Sequence, residues 1–110
     1  MRELYIVTYS SQAMEDLKEI YSYIAFELQV PDTAKNQVNR ILKGIRSLDF
    51  MPARFSIVDW EPWKSMEMHK LFIDNFVVFY LIDSTALTVK IIRVLYGKRD
   101  TNSMIENFEI

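Results

Sequence analysis

The chain has 110 residues, half of them hydrophobic and a quarter charged, the size and balance of a single domain with one core. Its net charge is −2 and its pI is near 5.4, whereas a protein that works mainly by gripping nucleic acid is usually basic. The absence of cysteine excludes disulfides and thiolate chemistry. One histidine and two glycines leave little material for a metal-ligand cluster, a phosphate-cradling loop or a hydrolase triad, so neither metal nor cofactor is expected.

Charge is unevenly spread. Residues 54–99 carry 7 Lys+Arg against 5 Asp+Glu, while residues 100–110 carry 3 acidic residues and no basic one. The longest apolar run, residues 76–82, is too short to span a bilayer. The N-terminus MRELYIVTYS alternates as a strand does and lacks the apolar centre of a signal peptide, so a cytoplasmic protein is expected.

Residues 4–9 read as a first strand, with Leu4, Ile6 and Thr8 on one face and Tyr5, Val7 and Tyr9 on the other. Ser10 and Ser11 are N-cap candidates, and Glu15 and Asp16 suit the positive end of a helix. Ala13, Leu17, Ile20, Ile24 and Leu28 then recur at helical spacing. Val30 and Pro31 stop that helix, because the residue before proline avoids helical angles. A second helix follows with Ala34, Val38, Ile41, Ile45 and Leu48 as its stripe. So short a link makes the two helices antiparallel.

Residues 53–65, ARFSIVDWEPWKS, read as irregular. Three strands are expected beyond them. Residues 66–73 form the first, Asp74 and Asn75 turn the chain, and residues 76–82 form a central strand apolar enough to need cover on both faces. Asp83, Ser84 and Thr85 turn it again into residues 88–96, and Gly97 releases it. The expectation is one α+β domain over residues 1–110, in the order β-α-α-β-β-β: a helical hairpin packed on a small antiparallel sheet.

This pattern resembles the RelE/ParE superfamily of toxins from bacterial type II toxin–antitoxin pairs. The resemblance covers nearly the whole chain. It is carried by YIVTYSSQAMEDLKEIYSYI at residues 5–24, DNFVVFYLID at 74–83 and IIRVLYGKRD at 91–100. The long helical hairpin and the RVLYGKRD ending are more similar to the ParE branch. The resemblance implies a growth inhibitor neutralised by a cognate antitoxin. Its target would be DNA gyrase, as for ParE-like members, or the ribosome and its mRNA, cut without metal by RelE-like members. It also places Arg99, with Lys98 beside it, at the cationic position that follows the last strand. The arginine that RelE-like nucleases carry early in the central strand falls on Val77, and their tyrosine beyond the last strand falls on Ile105. The favoured reading is therefore a toxin that binds gyrase. A ribosome-dependent endoribonuclease and an inactive relative that only binds its antitoxin are the alternatives.

Cutting RNA through its own 2′-hydroxyl needs a proton acceptor, a proton donor and fixed positive charge. His69, Lys70, Tyr96 and Arg99 are the candidates for that work. His69 and Lys70 are neighbours on a strand and point to opposite faces, and His69 is expected to be exposed. Tyr96 reads better as a core aromatic with a wet hydroxyl than as an acid, and Arg99 reads equally as an ion pair with Asp100 or the acidic tail. Arg93, in a buried-looking strand, must be paired or stand at an edge. Lys98, Arg99, Trp60 and Trp63 are the candidates for target binding, with a lid over the core as the other reading of the two tryptophans.

Overall fold

The computed structural model describes residues 3–97. Its elements are β1 (Ile6–Tyr9), α1 (Ser11–Ser22), a π-helical turn (Tyr23–Glu27), α2 (Pro31–Arg46), β2 (His69–Ile73), β3 (Phe76–Asp83) and β4 (Thr88–Tyr96). Two short 3₁₀ turns, Ser47–Asp49 and Pro52–Arg54, lead out of α2. This is the expected α+β order. The sheet runs β1-β4-β3-β2, so β3 and β4 are its centre. The last three strands are antiparallel as expected, but β1 pairs with β4 in parallel, which makes the sheet mixed. A period-2 pattern is the same for both strand directions, so alternation in residues 4–9 carries no sign of it.

The sheet is covered on both faces. The α1–α2 hairpin lies on one, where Ala13, Ile41 and Ile45 meet Val78, Tyr80 and Ile91. The segment before β2 lies on the other, where Val58, Trp63 and Met68 meet Val77, Phe79 and Leu95. Gly44 brings α2 close: a Cβ there would overlap the side chain of Ile73. A bulge at Ile92 sends Ile91 to the helix side and Ile92 to the other, because Phe79 pairs with Arg93 but Tyr80 with Ile91.

Ser10 caps α1, its Oγ accepting from Ala13 N at 2.9 Å. The same hydroxyl donates to Ile92 O at 2.7 Å, joining the helix start to the sheet. Asp16 does not serve as a first-turn acidic group; it is buried. Its Oδ2 accepts from the Val94 backbone N–H at 2.9 Å and from Arg93 Nε at 2.7 Å, and Oδ1 accepts from Arg93 Nη2 at 2.9 Å. Where β1 turns away into α1, the Asp16 carboxylate thus takes over as partner of the β4 edge. Arg93 is both paired and at an edge, as its place in the sequence requires.

The stripe of the first helix fails at its end. In the π turn Leu28 N donates to Tyr23 O at 3.0 Å, a loop one residue wider than an α-turn. The phase slips by that residue, so Ala25 is buried while Leu28 is exposed.

Candidate functional site

The residues with candidate chemistry lie at two ends of the sheet. At one end β2 begins with His69, paired across the ladder with Tyr80 and stacked on it with ring centroids 5.4 Å apart. Contrary to expectation His69 is buried, at 7% exposure. Ile57 bridges to it from the preceding segment, and its Nδ1 lies 2.9 Å from Glu67 O. Tyr80 donates its hydroxyl to Pro52 O at 2.6 Å. Burial holds the Tyr80 hydroxyl in its protonated form well beyond the ordinary tyrosine range, and the nearby Arg54 only partly opposes this. Arg54 itself donates to the carbonyls of Ser47, Phe50 and Met51, tying down the turns that leave α2. Burial likewise raises the Tyr9 hydroxyl, opposed by Arg46.

The other end is open. Gly97 N donates to Asn75 O at 2.8 Å, and a Cβ at Gly97 would lie 3.3 Å from that oxygen, so the chain leaves β4 tight against the β2–β3 turn. That turn has Asp74 in the left-handed region, φ 55°, as the sequence suggested. Asp74 Oδ2 accepts from Arg40 Nε at 2.8 Å and Gln37 Nε2 at 2.9 Å, fixing the turn to α2. The hydrogen bond from Arg40, then that from Gln37, hold this carboxyl below the usual carboxylate range. Beside the exit, Phe72 is 62% exposed and Tyr96 is 38% exposed, the latter edge-on to Phe76 with centroids 5.7 Å apart. Lys70 Nζ stands 5.8 Å from the Phe72 ring centroid.

The three candidate catalytic residues that are described, His69, Lys70 and Tyr96, do not converge. Lys70 pairs with Phe79 and lies on the sheet face opposite His69. Tyr96 pairs with Phe76, four residues along from the Tyr80 that pairs with His69, so Tyr96 and His69 are offset by about 13 Å along the strands and stand two strands apart. Lys98 and Arg99 lie outside the described residues. Trp63 is buried in the core, and Trp60 packs against the same cluster half-buried, so both roof the sheet. Trp63 is thereby withdrawn from any partner surface. Between them, Glu61 accepts from Ser65 through both carboxylate oxygens, at 2.8 Å from the backbone and 2.7 Å from the hydroxyl, and these bonds lower its carboxyl.

Phe72 is exposed although nothing in its sequence neighbourhood marks it so. Its strand is apolar on both faces, and only its position at the sheet edge leaves one side bare. Among the described residues no three His, Cys, Asp or Glu side chains gather to hold a metal ion. Among them, too, no helix is long and apolar enough to cross a membrane.

A family model described as the ParE toxin of the type II toxin–antitoxin system parDE matches residues 7–101. The chain belongs to that family. Solved structures agree at the level of fold. The chain is similar to a protein of the chromosomal ParDE toxin–antitoxin system from P. aeruginosa, with 17% identity and a TM-score of 0.71 over 87% of this chain and 99% of that one. It is also similar to a chain of the RelBE2 toxin–antitoxin complex from Mycobacterium tuberculosis, with 19% identity and a TM-score of 0.61 over 84% and 91%. A chain of the archaeal RelE–RelB complex from Pyrococcus horikoshii gives 17% identity and a TM-score of 0.60 over 87% and 98%. No curated protein sequence matches. This ParE-family toxin thus keeps the superfamily fold on a divergent sequence.

Proposed function

We propose that this toxin arrests growth by binding a cellular protein, with DNA gyrase the favoured target, and performs no bond-making chemistry itself. The observation that carries the reading is the burial of His69. The only side chain whose ordinary titration range is near neutrality is buried, stacked on Tyr80 and flanked by residues 56–58, which pair beside the start of β2. A general base must come within hydrogen-bond reach of the proton it takes, and His69 has no open path to one. The sheet offers accessible groups instead: Phe72 with Lys70 on the face opposite His69, and Tyr96 on the other face, next to the exit that leads to Lys98 and Arg99. Aromatic and cationic side chains on a rigid support are the material of a binding hot spot.

A cognate antitoxin is the second partner in this reading, and the cytoplasm the place of action. The support is the family itself, together with neighbours that come from toxin–antitoxin systems and complexes. The test is expression of the chain alone, with plasmid supercoiling and protein synthesis followed from induction. Loss of negative supercoiling while translation continues is the expected result. A prompt halt of translation with cleaved mRNA, before any change in supercoiling, contradicts it and favours the ribonuclease alternative.

A further inference from the structure

The exposed face of α2 plays no part in the site described above, yet it gathers positive charge on a chain whose net charge is −2. Residues 33–48 contain Lys35, Arg40, Lys43 and Arg46 and no acidic residue. Those four are exposed, and the other exposed residues from 35 to 47 are Asn36, Asn39 and Ser47. At 3.6 residues per turn all of these positions fall within about 140° of the helix circumference, and Lys35 to Arg46 spans about 16 Å of its length. Ile41 and Ile45 occupy the opposite side, in the core.

Aspartates border this face without cancelling it. Asp32 and Asp49 bound it in sequence, and Asp74 is paired with Arg40. Among the described residues no ion pair neutralises Lys35, Lys43 or Arg46. Arg54, exposed beside Ser47, donates to carbonyls of Ser47, Phe50 and Met51 and keeps its charge. The acidic side of α1 is turned elsewhere: Glu15 and Glu19 line a depression with Arg93 of β4. Lys18, which is also 3.6 Å from Glu15, lines the groove between α1 and α2 with Val38.

Two ordinary reasons for cations on a helix do not account for the pattern. The helix dipole favours them in the last turn, which covers Lys43 and Arg46 but not Lys35 near the start. A solvated helix gains from opposite charges three or four residues apart, but Arg40, Lys43 and Arg46 follow one another at that spacing as like charges. A polyanion relieves that repulsion.

The chemistry of the face decides which polyanion. The centre of a protein–protein interface is apolar and poor in charge, and this face exposes no apolar side chain; protein–DNA interfaces are polar and strongly positive. Single strands need aromatic rings on which bases stack, and none is exposed here. An α-helix enters the major groove of B-form DNA, whereas that of duplex RNA is too narrow for side chains to read. Lys, Arg, Asn and Ser are the side chains that contact DNA phosphates.

We infer that the exposed face of α2 is a binding surface for duplex DNA, with Lys35, Lys43 and Arg46 on its phosphates. This goes beyond the protein target proposed above and gives the toxin a hold on DNA as well. The net negative charge of the chain makes that hold weak and sensitive to salt.

The experiment measures binding of the purified toxin to a short fluorescent DNA duplex over a series of salt concentrations. Lys43→Gln/Arg46→Gln is compared with Lys64→Gln/Lys90→Gln, which removes the same charge from exposed positions off the helices. Circular dichroism and thermal unfolding check each fold. Wild type is expected to bind at low salt, with log affinity falling linearly in log salt. The α2 variant is expected to lose about tenfold or more in affinity at low salt, with a slope shallower by about two, one for each phosphate contact removed. The control variant is expected to stay within about twofold of wild type. Failure of wild type to bind the duplex at low salt overturns the inference, and so does equal weakening by the two variants, which makes the effect one of net charge. Polyglutamate or duplex RNA competing as well as unlabelled DNA overturns the choice of DNA. Toxin and DNA are the only components, so the result is separate from the choice of gyrase as target.

Discussion

The two ends of the sheet use the same kinds of residue for opposite purposes. At the His69 end an imidazole and a phenol, the groups that could move protons, are stacked together, hydrogen-bonded to backbone and covered. Toward the Gly97 end the aromatics Phe72 and Tyr96 are exposed, Phe72 on one face of the sheet with Lys70 and Tyr96 on the other next to the chain exit. Chemical capability is therefore a poor guide to function here, and access is the better one. A histidine that makes a core is structural, however suited to catalysis it looks on paper. A phenylalanine left bare at a sheet edge is available for recognition.

The comparison breaks most sharply at the open end. Replacing Lys98 and Arg99 together by alanine is expected to abolish growth arrest, with the melting temperature measured beside it to show that the fold is kept. Full toxicity of this variant at equal expression would move the active surface elsewhere.

The next effect lies between the two ends. Asp16→Ala leaves the Val94 N–H and the Arg93 guanidinium without their carboxylate. Breaking such a largely buried pair from one side costs about 3–5 kcal/mol, a large part of the stability of a small domain. Chemical denaturation measures it, and Asp16→Asn, which keeps an acceptor for Val94, is expected to recover part of the loss.

At the sealed end Tyr80→Phe removes the bond to Pro52 O and is expected to cost about 1–2 kcal/mol. Its pH signature is specific. The folded protein holds the Tyr80 proton more tightly than the unfolded chain does, so this contribution is complete below the ordinary tyrosine pKa of about 10 and is lost as pH rises above it. Wild type should therefore lose stability in alkali more steeply than Tyr80→Phe, by equilibrium unfolding at a series of pH values. Equal slopes would mean that the hydroxyl is not sealed.

Asp74 gives a smaller effect of opposite sign. Its carboxyl is held low by Arg40 and Gln37, so what it contributes is present above the ordinary carboxylate range and lost as pH falls through its lowered value. Asp74→Asn should flatten the acid limb of stability slightly, and because the pair is exposed the difference at neutral pH should be barely measurable.

Much of the fold is legible in the residues. The helix stripe from Ala34 to Leu48 announces its element by repeating one period, and the run at 76–82 by being apolar without a break and so needing cover on both faces. The signal fails where an element's neighbour decides the outcome. The parallel pairing of β1 depends on which side of β4 the chain returns to. At His69 the strand β2 is flanked by residues 56–58, which pair along it and which read as irregular. Phe26 lies outside the stripe of its helix, yet nothing in its sequence neighbourhood says that a π turn will leave it bare. The candidate site was half legible for the same reason: residue types name a chemistry, and only packing says which of them is reachable.

The most direct test of this account is His69→Gln, which retains a polar group able to bond within the same space. Growth arrest and supercoiling are measured beside wild type, at a temperature where both proteins are folded. If the His69 end is structure, toxicity stays within about twofold of wild type. A fall of about a hundredfold or more, the loss expected for removal of a general acid or base, in a variant that is folded and soluble would contradict the account and make the sealed end the active one.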